Sequence, residues 1–165
     1  DQSYATSYIK TVGTAQTRVA DSCNNENINL IPLNSWSIII NKGENELSDS
    51  YAHELSFDNG ATRQISLRVF SNNYYLYDAI NDSAPNGSSG LSNESGIIGI
   101  TYDGTTLKEY VNGVEVVSNY IPAIKFAKID TIKYNPQNLI SSKQKGLRVY
   151  NTVLSNAEVI ALTTP

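Results

Sequence analysis

Short apolar runs recur along the chain, and nearly every one is closed by turn-forming residues. Residues 35–40 end in three isoleucines and are followed by Asn41-Lys42-Gly43, a cluster expected to stop the strand. Residues 54–57 read as a short strand ended by Asp58-Asn59-Gly60, a hairpin signal. Over 64–70 the pattern alternates, with Ile65, Leu67 and Val69 on one face and Ser66, Arg68 and Phe70 on the other. Asn72-Asn73 turns the chain into a strand at 74–79. A loop follows at 81–95, rich in Asn, Ser, Gly and Pro.

Strand character resumes at 96–102, with Ile98, Ile100 and Tyr102 on one face. Asp103-Gly104 makes a turn, and strands at 107–111 and 114–117 flank Asn112-Gly113. Both residues of that two-residue hairpin must take positive φ, which Asn and Gly tolerate. Further strands are expected at 128–134 and 146–150. One segment, 156–162, reads as helix: Ser155 can cap it and Glu158 three residues on completes a capping box. It is expected to dock on an edge of the fold. Many short strands without an internal helix predict an all-β fold, a sandwich or jelly roll, with one short C-terminal helical turn.

The 165 residues suffice to bury a two-layer core. Charged residues are only 17%, and nineteen Asn with many Ser and Thr supply the polarity. Neutral amides and hydroxyls suit hydroxyl-rich ligands. A net charge of −4 with scattered Lys and Arg gives no footprint for nucleic acid. No apolar run has the length of a membrane span. Cys23 is the lone cysteine, so packing alone must hold the fold. The sequence holds no Met and no signal peptide, and it reads as a piece of a longer polypeptide.

Three stretches carry a resemblance. Thr101-Tyr102-Asp103-Gly104 with Leu107–Val114, and Gly146–Asn151 with Leu154-Ser155-Asn156-Ala157-Glu158, resemble the hairpin and closing motifs of the concanavalin A-like, laminin G-like domains; Ser35-Trp36-Ser37-Ile38 suits the early Trp strand of that class. Ser3-Tyr4-Ala5-Thr6-Ser7-Tyr8-Ile9 with Thr17-Arg18-Val19-Ala20-Asp21 is similar to a segment that leads into such domains in bacteriophage tail and tail-fibre proteins, with Lys10 where a Pro is usual. The resemblance implies a two-sheet antiparallel jelly-roll sandwich over 23–165, a leader or linker from an upstream module, including a first strand, over 1–22, carbohydrate binding, and a virion setting.

Enzymes of the related laminarinase type set paired carboxylates on one strand. Glu44, Glu46 and Asp49 are the nearest match, lack the apolar interleaving and read as a solvated loop cluster. His53 is the sole histidine and has no nucleophile motif beside it, so no catalysis is expected. Trp36 is expected in the core. Eleven tyrosines against three phenylalanines offer aromatic faces with polar tips, suited to sugar rings. Tyr74, Tyr75 and Tyr77 are the candidate ligand-binding aromatics, with Asn72, Asn73 and Asn86 as neighbouring amides. Laminin G-like domains often hold a calcium ion on the rim, for which Asp58, Asp78 and Asp103 are the candidate ligands.

The expected function is a non-catalytic host-receptor domain of a phage tail or fibre, with a host cell-surface polysaccharide and other virion subunits as partners, without membrane insertion. Its parent is expected to form an oligomer, such as a trimer. A decoration domain without a sugar site is one alternative. Another is an extracellular carbohydrate-binding module of a polysaccharide-degrading enzyme.

Overall fold

The computed structural model describes residues 23–25, 35–45, 52–70, 73–85, 95–134 and 142–165. The elements among them run β1 (Cys23–Asn25), β2 (Trp36–Asn45), β3 (Ala52–Asn59), β4 (Thr62–Phe70), β5 (Asn73–Asp78), β6 (Gly96–Tyr102), β7 (Leu107–Val111), β8 (Val114–Tyr120), β9 (Thr131–Tyr134), β10 (Ser142–Tyr150) and α1 (Asn156–Thr163). They form two five-stranded antiparallel sheets, ordered β1-β9-β3-β4-β5 and β10-β2-β6-β7-β8. The chain is therefore an all-β sandwich with one short helix. The expected leader at 1–22, the loop tip at 86–94, and the residues Glu46 and Asp49 lie outside the described residues.

Strand alternation builds the core. Ile65, Leu67 and Val69 of β4 meet Ile38 and Ile40 of β2 and Ile98 and Ile100 of β6 in one buried cluster. Trp36 is 1% exposed and packs on Tyr102 and Phe126, with ring centroids 5.5 and 6.4 Å away. Phe126 stands edge-on to Tyr102 at 5.0 Å, which pins the segment after β8 across that end of the sandwich. The predicted Asn112-Gly113 hairpin has φ of 49° and 81° at its two turn residues.

Asn41-Lys42-Gly43 does not stop β2, because the strand is paired on both sides: Asn41 lies opposite Ile97 on β6 and Gly146 on β10. Lys42 follows the alternation inward and is fully buried, its ammonium 3.9 Å from the centre of the Tyr74 ring. Glu54 is buried beside it. Burial pushes its carboxyl up to about 7, against the opposing pull of the Tyr74 hydrogen bond and the Lys42 charge. Likewise β10 begins at Ser142, upstream of the expected Gly146, through two register irregularities against β2.

One inward residue has no such company. Leu107 and Val111 of β7 belong to the core cluster, and Glu109 between them falls on the same face. It is paired with Ile100 on β6 and Val117 on β8, and it is 0% exposed. Among the described residues, neither of its carboxylate oxygens has a hydrogen-bond partner. Burial pushes this carboxyl up to about 8.

The helix has the predicted capping box: Ser155 Oγ accepts from Glu158 N at 3.3 Å, and Glu158 Oε2 accepts from Ser155 N at 2.8 Å. It docks on the outer face of the second sheet instead of on an edge, with Val159 in a cluster with Ile39 and Tyr110. Gly99 makes the seat. A Cβ there would stand 2.6 Å from Val159 Cγ1 and 2.9 Å from Thr163 Cγ2.

Candidate functional site

β5 is an edge strand of the first sheet, and its burial alternates strictly along Asn73–Asp78. Tyr74, Leu76 and Asp78 point into the sandwich; Asn73, Tyr75 and Tyr77 point out and are partly exposed. Tyr74 is thus removed from the candidate binding surface. It is 0% exposed, and its phenol is pushed above its ordinary value by burial and then by the Glu54 carboxyl it hydrogen-bonds. Its role is to hold two buried charged groups together.

Cross-strand register decides what accompanies the outward rings. Tyr77 lies opposite Ser66, which lies opposite Ser56, which lies opposite Lys133. Tyr75 lies opposite Arg68. The Arg68 guanidinium crosses diagonally and sits 4.0 Å from the Tyr77 ring centre, a cation–π contact. The Tyr77 hydroxyl donates to the Asp82 carboxylate, and that bond is the first cause of its raised phenol pKa. Asp82 reaches it from the turn after β5, where it takes φ of 49°. Tyr77 is therefore held at both its face and its tip.

Further along this face, Lys133 Nζ lies 2.7 Å from the Asp58 carboxylate, whose side chain is 2% exposed. Ser56 and Ser66 are fully buried. At the β5 margin Tyr75, Tyr77 and Arg68 are partly exposed, and further in the Lys133 side chain keeps 25% exposure. Neither Arg68 nor Asp82 was read from the sequence as part of a ligand-binding surface. The alternation of 64–70 does place Arg68 outward, but only the register puts it over Tyr77.

Asn73 opens β5 on the same outer side as Tyr75, while Asn72 and Asn86 lie outside the described residues. The side chain of His53 is likewise outside what the structure describes, although its backbone is part of β3. The three aspartates proposed for calcium do not come together. Asp58 is committed to Lys133. Asp78 accepts from the Ile80 and Asn81 amides at 3.1 and 3.0 Å and from the Tyr120 hydroxyl at 2.8 Å, so it ties β5 to β8 across the sandwich edge. Asp103 Oδ1 accepts from the amides of Thr105 and Thr106 at 2.8 and 2.7 Å, closing the β6–β7 turn. Among the described residues no three His, Cys, Asp or Glu are grouped as a metal site would need. These aspartates shape turns and edges.

No family model and no curated protein sequence matches the chain. Solved structures do. Trypanosoma rangeli sialidase aligns over 78% of this chain and 22% of its own, with a TM-score of 0.60 and 13% identity. The CBM40 domain of Ruminococcus gnavus IT-sialidase, bound to α2,3-sialyllactose, aligns over 79% of this chain and 83% of its own, with a TM-score of 0.53 and 18% identity. Domain 4 of AbnA, a GH43 extracellular arabinanase from Geobacillus stearothermophilus in complex with arabinotriose, aligns over 82% of this chain and 69% of its own, with a TM-score of 0.55 and 20% identity. The chain thus spans under a quarter of the sialidase it matches, and at these identities the likeness is one of fold. That fold is a two-sheet antiparallel β-sandwich.

Proposed function

We propose that this chain is a non-catalytic carbohydrate-binding domain that takes a glycan at the β5 margin of its first sheet. The observation that carries the proposal is the pair of outward rings, Tyr75 and Tyr77, with Tyr77 fixed by Arg68 and Asp82. A sugar ring has an apolar C–H face and a hydroxyl rim, so it stacks on an aromatic face and hydrogen-bonds to polar groups around it. A ring already held in place loses little freedom on binding, which favours weak ligands. The two carboxyls raised by burial, Glu54 and Glu109, are 1% and 0% exposed and cannot reach a substrate. That supports binding without chemistry, as do fold neighbours solved with sialyllactose and arabinotriose.

The segments 3–9 and 17–21 support a setting in a phage tail or fibre, which makes a host surface polysaccharide the partner. Single-site sugar affinity is weak, and several copies on one particle raise avidity by about 10²–10⁴. A second reading is an accessory module of a secreted polysaccharide-degrading enzyme; it is favoured by the arabinanase neighbour. The full reading frame that encodes this chain, with its neighbouring genes, separates the two. A glycan array tests the shared claim: the chain binds a defined subset of glycans, and the Tyr75→Ala/Tyr77→Ala variant loses them. An array without signal above controls, for a folded and multivalently displayed chain, rejects it.

A further inference from the structure

A second polar groove lies on the opposite side of the sandwich, between the β6–β7 turn and the start of α1. It measures about 370 Å³, within the roughly 300–1,000 Å³ range of small-molecule sites. Thr101 of β6 forms its floor at 4% exposure, and Asp103 and Thr106 form one rim. Val153, 42% exposed, gives an apolar ledge.

The polar groups here are ordered yet unsaturated. Asn156 bridges the Lys108 ammonium at 3.3 Å and the Tyr110 hydroxyl at 2.8 Å. Asp103 uses Oδ1 for the turn amides, and Glu158 uses Oε2 for Ser155. Among the described residues, the second oxygen of each carboxylate and the hydroxyls of Thr101 and Thr106 have no hydrogen-bond partner. Ser155 holds the Glu158 carboxyl below its usual range, so this acceptor is ionised at neutral pH. The groove thus offers two free carboxylate oxygens, two hydroxyls and one ammonium beside an apolar ledge.

We infer that this groove is a second ligand site, independent of the Tyr75/Tyr77 face, for a single neutral sugar residue. Mixed acceptors and donors match vicinal hydroxyls, which both give and take hydrogen bonds. Asp103, Glu158 and Glu115, which lies 3.8 Å from Lys108, outweigh the one ammonium, so an anionic sugar or a phosphate is repelled. With one site on each side of the sandwich, a domain can hold two chains of a polysaccharide, or one chain that wraps an edge.

Amide NMR titration with glucose, galactose, N-acetylglucosamine and arabinose, each to tens of millimolar, tests this. At least one sugar is expected to move the amides of 101–108 and 153–158, while glucuronate and inorganic phosphate leave them in place. The Thr101→Val/Thr106→Val variant removes two hydroxyls at nearly constant shape and is expected to weaken that sugar about tenfold without changing the melting temperature. Tyr75→Ala/Tyr77→Ala leaves the groove response intact. The inference is overturned if no sugar moves the groove amides, if the threonine variant binds as the parent does, or if glucuronate binds more tightly than glucose. Movement at Tyr75 and Tyr77 alone overturns this site and leaves the first one standing.

Discussion

Glu109 offers the sharpest test of the packing. Its carboxyl lies between Ile100 and Val117 on the core side of β7, and burial alone raises it from 4.5 to about 8. In the folded chain it therefore keeps its proton at neutral pH, whereas in the unfolded chain it ionises above 4.5. Between these two values the folded state binds the extra proton, so stability falls as pH rises, by about 1.4 kcal/mol per unit. Relative to a side chain that cannot ionise, the loss is about 3 kcal/mol at pH 7 and about 5 kcal/mol above pH 8. That is a large share of the ~5–15 kcal/mol that holds a typical domain. Glu109→Gln keeps the shape and removes the ionisation. Urea unfolding followed by Trp36, the sole tryptophan and buried, supplies a clean signal. The variant should match the parent near pH 4.5 and exceed it by a margin that grows to about 3 kcal/mol at pH 7. Glu54, also raised, is present in both proteins and cancels in the difference. A difference that stays flat from pH 4.5 to 8.5 would refute the reasoning, since it would mean that Glu109 ionises in the folded chain without cost.

Tyr74→Phe removes the hydroxyl that Glu54 hydrogen-bonds and should cost about 1–3 kcal/mol in urea unfolding, with glycan binding unchanged; lost binding in a folded variant would return Tyr74 to the ligand site. Gly99→Ala drives a Cβ into Val159 and should cost about 1–3 kcal/mol, with faster hydrogen exchange in α1 amides; unchanged exchange would mean the helix does not rest on that glycine. Ser155→Ala breaks the capping box and should lower stability by about 1 kcal/mol in thermal melts; a melting temperature equal to the parent's would show that the cap contributes nothing.

Where local chemistry decides local structure, the elements were legible. Asn112-Gly113 can close a two-residue hairpin because both residues accept positive φ, and Ser155 with Glu158 can open a helix. The alternation at 64–70 likewise separates an inner from an outer face, which the structure shows in Ile65, Leu67 and Val69. What was not legible depends on partners far away in sequence. Asn41-Lys42-Gly43 reads as a break, yet β2 continues because β6 and β10 pair with it from both sides and Tyr74 and Glu54 accommodate the Lys42 charge. Tyr74, Tyr75 and Tyr77 read as one aromatic cluster, but the register against β4 turns the first inward opposite Val69 and the others outward. The aspartates read as ion ligands because turn carboxylates and calcium ligands share a composition. Only the hydrogen bonds show Asp78 and Asp103 serving the backbone. The proposed margin was half visible: Tyr75 and Tyr77 were named as ligand candidates, while the contacts of Arg68 and Asp82 with Tyr77 depend on register and turn geometry.

The central claim is that a sugar ring stacks on the β5 margin. It is tested most directly by a crystal structure of the chain soaked with its strongest glycan-array ligand. The account predicts a pyranose or furanose ring lying on Tyr75 or Tyr77, with a hydroxyl within hydrogen-bond reach of Arg68 or Asp82. Ligand density found only elsewhere, with both tyrosines uncovered, would contradict it.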